Sequence, residues 1–146
     1  VSDRPLGIWF GIDVGAVRVG VARSDPRGVL AVPVATLRRD PHGNGDLDEL
    51  IALLDEYEAV GVVIGLPRTL AGREGSAVTA ARAYGDLLEA RLAEIPVLYA
   101  DERMTTVVAQ RNLSTSGVRA RSQRAKIDQA AAVEILQSFL DRGTLQ

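Results

Sequence analysis

The chain has 146 residues, no cysteine and a formal net charge of −2, with 47% hydrophobic and 25% charged residues. That size suits one compact domain, residues 1–146, with a real core, and the absence of cysteine excludes disulfides, zinc–thiolate sites and cysteine nucleophiles. No apolar run approaches the roughly 18 residues of a membrane span, and "VSDRPLGIWF" lacks the charged start and long apolar stretch of a signal peptide, so a soluble, cytoplasmic protein without a membrane partner is expected.

Residues 7–14, 18–24 and 29–37 read as consecutive strands, separated by Gly15 with Ala16 and by the turn sequence "DPRG" from Asp25 to Gly28. Links this short imply an antiparallel meander. "RRDPHGNGD" (Arg38 to Asp46) is rich in turn formers and reads as a loop, with His42, the single histidine, at the surface. Leu47, Leu50, Ile51 and Leu54 recur at helical spacing and predict a helix over 46–58.

"AVGVVIGLP" (Ala59 to Pro67) is a continuous apolar run, as expected of a strand covered on both faces. After the loop "RTLAGREG", Ser76 can cap a second helix with Ala77, Ala80, Ala81, Tyr84, Leu87, Leu88 and Leu92 on one face. Pro96 precedes a fifth strand, "VLYADE" (Val97 to Glu102). A short helix over 105–114, a basic loop "STSGVRARSQRAK" and a last helix over 122–140 complete the chain.

The order βββ-α-β-α-β-α implies antiparallel hairpins first and right-handed parallel crossovers later. The expected fold class is α/β, a mixed five-stranded sheet with a three-strand antiparallel meander, two parallel strands and helices on both faces. This order resembles the RNase H-like arrangement, shared by many nucleases and by the halves of actin-like ATPases.

Three places carry acids worth weighing. Asp13 sits between Ile12 and Val14 in the first strand, where an ionised acid without a partner is costly to bury. It can be a strand-end acid bonded to backbone amides, a partner of Arg18, or a functional group. Asp101 and Glu102 close the fifth strand, where alternation points them to opposite faces, so one of them at most shares a site with Asp13 unless the strand has already ended there. Either can instead pair with Arg103.

Asp128 lies on the core stripe marked by Ala131, Ala132, Ile135, Leu136 and Phe139, about a turn and a half beyond Ser122, too deep for ordinary macrodipole stabilisation. An acid facing the sheet needs a cation. Lys126, the single lysine, is near in sequence but lies at another helix angle. Acids from the first strand, last strand and last helix can converge at one sheet edge, where clustered carboxylates suit two Mg²⁺ or Mn²⁺ ions in phosphodiester cleavage.

Between Glu102 and Asp128 there is no acid, yet Arg103, Arg111, Arg119, Arg121, Arg124 and Lys126 all fall there. A positive segment inside an acidic protein is either a solvated loop or a grip on backbone phosphates, giving affinity without base reading.

The stretches "GIDVGAVRVGVARSD", "VVIGLPRTLAGREG", "ADERMTT" and "IDQAAAVEILQSFL", in this order, resemble the YqgF/RuvX family of pre-16S rRNA nucleases and Holliday junction resolvases, over about Leu6 to Leu140. The resemblance implies a resolvase-type RNase H-like fold and metal-dependent phosphodiesterase activity. Its acidic triad falls on Asp13, Glu102 and Asp128 as catalytic and metal-binding residues, with Asp101 and Lys126 beside them.

Arg18, Arg103, Thr105, Thr106, Arg111, Arg119, Arg121 and Arg124 would contact nucleic acid. Where many members carry an Asn-rich "GLPLNMDG", this chain has "GLPRTLAG", so the asparagine contact is absent and Arg68 offers a phosphate contact instead. Gly15 and Gly20 are expected to let nucleic acid approach the backbone.

The leading expectation is a Mg²⁺- or Mn²⁺-dependent nuclease that trims the 5′ end of pre-16S rRNA. A resolvase of four-way DNA junctions shares the chemistry, and symmetric incision there favours a homodimer over a monomer. Asp13 with Gly15 is also similar to the phosphate loop of actin-like ATPases and sugar kinases, which clasp nucleotide between two such domains. A non-catalytic nucleic-acid or ribosome-binding module, with structural acids, is the remaining alternative.

Overall fold

The computed structural model describes residues 4–67, 75–101 and 120–143, the side chains of 120–126 and 143 excepted. The loop and short helix expected over 68–74 and 105–114 therefore lie outside the described residues. Strand β1 (Trp9–Val14) is the middle of a five-stranded sheet, with β2 (Arg18–Ser24), β3 (Ala31–Arg38), β4 (Gly61–Leu66) and β5 (Val97–Asp101) in the order β3-β2-β1-β4-β5. Pairing is antiparallel for β1 with β2 and β2 with β3, and parallel for β1 with β4 and β4 with β5. The meander and the parallel pair are those expected, and each follows from link length: the three-residue and turn-length links of the meander allow only antiparallel return, and the helix-bearing links permit parallel crossovers.

The turns explain the strand ends. Gly15 N–H donates to the Arg18 carbonyl at 2.9 Å, closing β1 onto β2. At the next turn the Asp25 carboxylate accepts from Val29 N–H at 2.7 Å and Leu30 N–H at 2.9 Å. Those two amides are spent in the turn, so β3 begins at Ala31 rather than at 29. The same hydrogen bonds hold the Asp25 carboxyl below its ordinary 3.8, and bonds from Gly43 and Gly45 do so for Asp40.

With both folded-state values depressed, the stability these groups contribute is full above the unfolded value and is lost as pH falls through the folded ones. Thermal melts from pH 6 to 2 should therefore lose stability below about pH 4. Asp25→Asn with Asp40→Asn should flatten that limb, and an unchanged acid limb would remove these turns from its cause.

Alternation along β1 sends Phe10, Ile12 and Val14 to one face and Trp9, Gly11 and Asp13 to the other. On the first face α1 (Gly45–Glu56) and α2 (Ser76–Arg91) supply Leu47, Leu50, Leu54, Val78, Ala81, Tyr84 and Leu88. The buried stripe of α2 is Val78, Ala81, Tyr84, Gly85 and Leu88. Ala77, Ala80 and Leu87, expected on it, are exposed. Alanines carry too little apolar area to set a helix's roll, and the larger Val78 and Leu88 set it instead.

Among the described residues the second face is covered by one helix, α3 (Ala120–Gly143). Ala131, Ala132, Ile135, Leu136 and Leu140 pack there with Trp9, Ala22, Val63 and Ala100. Phe139 is partly buried against this cluster, its ring 5.0 Å from that of Trp9. The helix lies close because Gly11 is bare: a methyl there would stand 2.6 Å from Leu136 Cβ. Its first residue is Ala120, two residues before the expected start at 122, so Arg121 joins Arg124 and Lys126 in the helix. Among the described residues no helix is long and apolar enough to cross a membrane.

Candidate active site

The parallel strands β1, β4 and β5 end at the same sheet edge, and Asp13 is the penultimate residue of β1. In open α/β sheets ligands bind beyond the carboxyl ends of the strands. Asp13 is 2% exposed and pairs in register with Gly20 of β2. Residues directly opposite in an antiparallel ladder share a face, so the Asp13 side chain and the bare face of Gly20 both look toward α3.

Helix α3 meets the sheet at Gly20 through Asp128. A methyl on Gly20 would overlap the Asp128 carbonyl, so the backbone of α3 rests directly on β2 beside Asp13. One residue on, Gln129 Nε2 donates to Thr36 Oγ1 at 3.0 Å, and Thr36 is the β3 partner of Gly20. Asp13 and Asp128, two of the three expected acids, are thus brought to one face with a glycine between them. The glycines have a different use from the one expected: Gly15 closes the turn onto Arg18, and Gly20 admits the chain's own helix rather than nucleic acid.

Arg18 Nε donates to Asp128 Oδ2 at 2.9 Å, with the two side chains 28% and 19% exposed. A sheet-facing Asp128 requires a cation, and Arg18, on β2, supplies one. Asp101 ends β5 in register with Leu66, on the pleat opposite to Ala100, which packs against α3. Alternation thus separates Asp101 from the face of Asp13 and Asp128. Glu102, Arg103, Thr105, Thr106, Arg111, Arg119 and Arg68 lie outside the described residues, and for Arg121, Arg124 and Lys126 only the helical backbone is described. Among the described residues no group of three His, Cys, Asp or Glu side chains is placed to hold a metal ion.

A second charged cluster, on the other face, was not anticipated. Asp46, at the start of α1, is 2% exposed. Its Oδ2 lies 3.3 Å from Arg39 Nε, and its Oδ1 accepts from Asp40 N–H at 3.1 Å. The Arg39 guanidinium stacks 4.9 Å from the Tyr84 ring and also donates to the Gly15 carbonyl at 3.3 Å. Burial first, and the Asp46 charge second, push the Tyr84 hydroxyl above its ordinary pKa.

This cluster ties α1 and α2 to the turn that follows Asp13. The turn-rich composition of "RRDPHGNGD" hid it, since nothing local marks Asp46 as an interior group. Removing one partner of a buried pair strands the other. Asp46→Ala should cost about 3 kcal/mol, read by urea denaturation, and a loss under about 0.5 kcal/mol would assign the pair no structural role.

Residues 7–142 match the family model described as "RuvX: Holliday junction resolvase". Among relatives named "Putative pre-16S rRNA nuclease", that of Frankia casuarinae is 55% identical over 92% of this chain and 66% of its own length. That of Mycobacterium sp. (strain KMS) is 58% identical over 97% of this chain and 83% of its own. The corresponding protein of Mycolicibacterium paratuberculosis is 60% identical over 97% of this chain and 89% of its own. The chain thus spans just under two thirds of the Frankia protein and more than four fifths of the other two.

Among solved structures, Thermus thermophilus RuvC in complex with a Holliday junction substrate superposes with a TM-score of 0.58 at 14% identity. That match covers 94% of this chain and 97% of RuvC. A second structure of the same protein gives 0.56. At that identity the likeness shows the fold, which is the mixed RNase H-like sheet expected from the element order.

Proposed function

The chain belongs to the RuvX family, and from that premise we propose that it is a metal-dependent phosphodiesterase that processes the 5′ end of pre-16S rRNA. The observation that carries the reading is that Asp13, the cross-strand partner of Gly20, and Asp128, whose backbone rests on Gly20, share one face at the carboxyl edge of the parallel strands. The substrate follows the names of relatives 55–60% identical. We take the whole chain, residues 1–146, as one nuclease domain working in the cytoplasm.

The donor set fits a hard divalent cation. Carboxylate oxygens are the ligands that Mg²⁺ and Mn²⁺ prefer, and Arg18 on Asp128 marks the site as one built around positive charge. Asp13 and Asp128 would hold the metal, with Glu102, which follows the end of β5, as the third acid. Bound ions of this kind activate a water and stabilise the leaving oxygen of a phosphodiester.

The chain's own residues do the positioning. Val14 and Ile12 fix β1 in the core so that Asp13 does not swing, and the Gly20 contact fixes the height of Asp128 above the sheet. The arginines at 103, 111, 119, 121 and 124, with Arg68, Thr105 and Thr106, would grip phosphates along the substrate without reading bases. Lys126 would act from beside the triad, whereas Asp101 stands on the pleat opposite to Asp13 and Asp128.

A second reading, incision of four-way DNA junctions, is favoured by the family's own description. A panel of pre-16S rRNA leader, unstructured RNA and a four-way junction, each with Mg²⁺, Mn²⁺ or EDTA, separates the two. Metal-dependent cutting of the leader above both other substrates supports the proposed function. Preferential symmetric cutting of the junction by a dimer overturns it in favour of the second reading, and no cutting of any substrate overturns both.

A further inference from the structure

The β2–β3 ladder holds an arrangement that neither the fold nor a metal site demands. Arg18 and Arg38 stand directly opposite each other in the antiparallel register, two pairs outward from Gly20 and Thr36. Directly opposed like charges destabilise a ladder, and this pair lies on the same pleat as Gly20 and Thr36, the face on which Asp128 and Gln129 make their bonds. One of the two cations is answered by Asp128. Arg38 is exposed, and among the described residues its side chain makes no hydrogen bond or ion pair.

We infer that Arg18 is the resident counter-ion of Asp128, and that a divalent cation, on taking Asp128, frees Arg18 to join Arg38 in seating one backbone phosphate of the nucleic acid. The inference rests on the proposed metal site. Three features carry it. An acid facing the sheet must keep a cation near it whether or not metal is present, and Arg18 supplies that charge through one Oδ2 contact. Both partners keep contact with solvent, at 28% and 19% exposure, so exchange does not require the core to open.

The released guanidinium needs an anion, and its closest opposed neighbour across the ladder is another arginine, which an anion between them would reconcile. A phosphate diester has two unesterified oxygens for two guanidinium groups, and planar bidentate donors suit it. The axis of α3 adds to this. It passes over Gly11 at residues 132 and 136 and over Gly20 at Asp128, so the turns that precede Asp128, with Arg121, Arg124 and Lys126, continue outward past the same rim.

The experiment is in two parts, on the full chain, with circular dichroism to check each variant. Calorimetric titration of Mn²⁺ into wild type, Arg18→Gln and Arg38→Ala comes first. Arg18→Gln should bind Mn²⁺ about tenfold more tightly, because a competing charge leaves the site. Arg38→Ala should stay within about twofold of wild type. If Arg18→Gln instead misfolds, Arg18→Met carries the same expectation.

In the second part, binding of pre-16S leader RNA is measured against salt concentration, with Ca²⁺ in place of the catalytic ion. Each variant should lower the slope of log K on log salt by about one phosphate contact. Unchanged or weaker Mn²⁺ binding by Arg18→Gln would make Arg18 a clamp that positions Asp128 and overturn the exchange. An unchanged slope for Arg38→Ala would overturn the phosphate seat. Failure of wild type to bind Mn²⁺ at all would overturn the metal site itself, and is distinguished from the other two by that result alone.

Discussion

Asp13→Asn is expected to lower metal-dependent cleavage more than about 100-fold, the loss that follows from removing even a supporting partner of a metal ligand. The substitution keeps the shape of a side chain that is 2% exposed and surrounded by packed strand, and it removes only the charge and one acceptor oxygen. Binding of the leader RNA should change less than about threefold, because in the proposed function backbone phosphates would be gripped by cations elsewhere on the surface. A loss in cleavage with binding retained assigns Asp13 to the chemistry. Equal cleavage by wild type and Asp13→Asn would mean that the activity belongs to something else in the preparation, or that Asp13 is a structural acid.

Among the described glycines, Gly20→Ala should be the most damaging addition of a methyl. Its methyl meets the Asp128 carbonyl, a backbone atom that no rotamer can move aside. Helix α3 must lift from β2, and with it go the Arg18–Asp128 pair and the Gln129–Thr36 hydrogen bond. Overpacking of a close helix–sheet contact costs about 1–3 kcal/mol, and a backbone clash belongs at the upper end. Cleavage should fall further than stability alone explains, since a misplacement of about 1 Å at a reacting group costs about 100-fold. Urea denaturation and cleavage rate measured on the same variant separate the two effects. Stability within about 0.5 kcal/mol of wild type would mean that α3 does not rest on β2 at this point.

The sequence disclosed most where pattern and packing are the same thing. The β1–β2–β3 meander was legible because its links are too short for any other return, and α3 because Ala131, Ala132, Ile135 and Leu136 keep helical spacing through to the sheet. Asp128 was legible for the same reason, as an acid on an apolar stripe.

What was not legible depends on contacts across the fold. Arg18, beside the turn, could as easily have paired with Asp13. Only the height of α3 over Gly20 brings Asp128 within 2.9 Å of it. The use of Gly20 was misread because a glycine in a strand signals close approach without saying of what. The Asp46–Arg39–Tyr84 cluster joins three elements distant in sequence, and its members look like an ordinary loop arginine, a first-turn acid and a helix aromatic. The α2 stripe was displaced because alanines match any face equally well.

The proposed function requires a divalent ion shared by Asp13 and Asp128, and thermal unfolding with and without Mn²⁺ tests this most directly. A ligand that binds only the folded state raises the unfolding midpoint in proportion to its occupancy. Wild type should show a saturable upward shift that EDTA reverses, and Asp13→Asn and Asp128→Asn should each show none. A shift of the same size in wild type and both variants, or no shift in wild type, would contradict it.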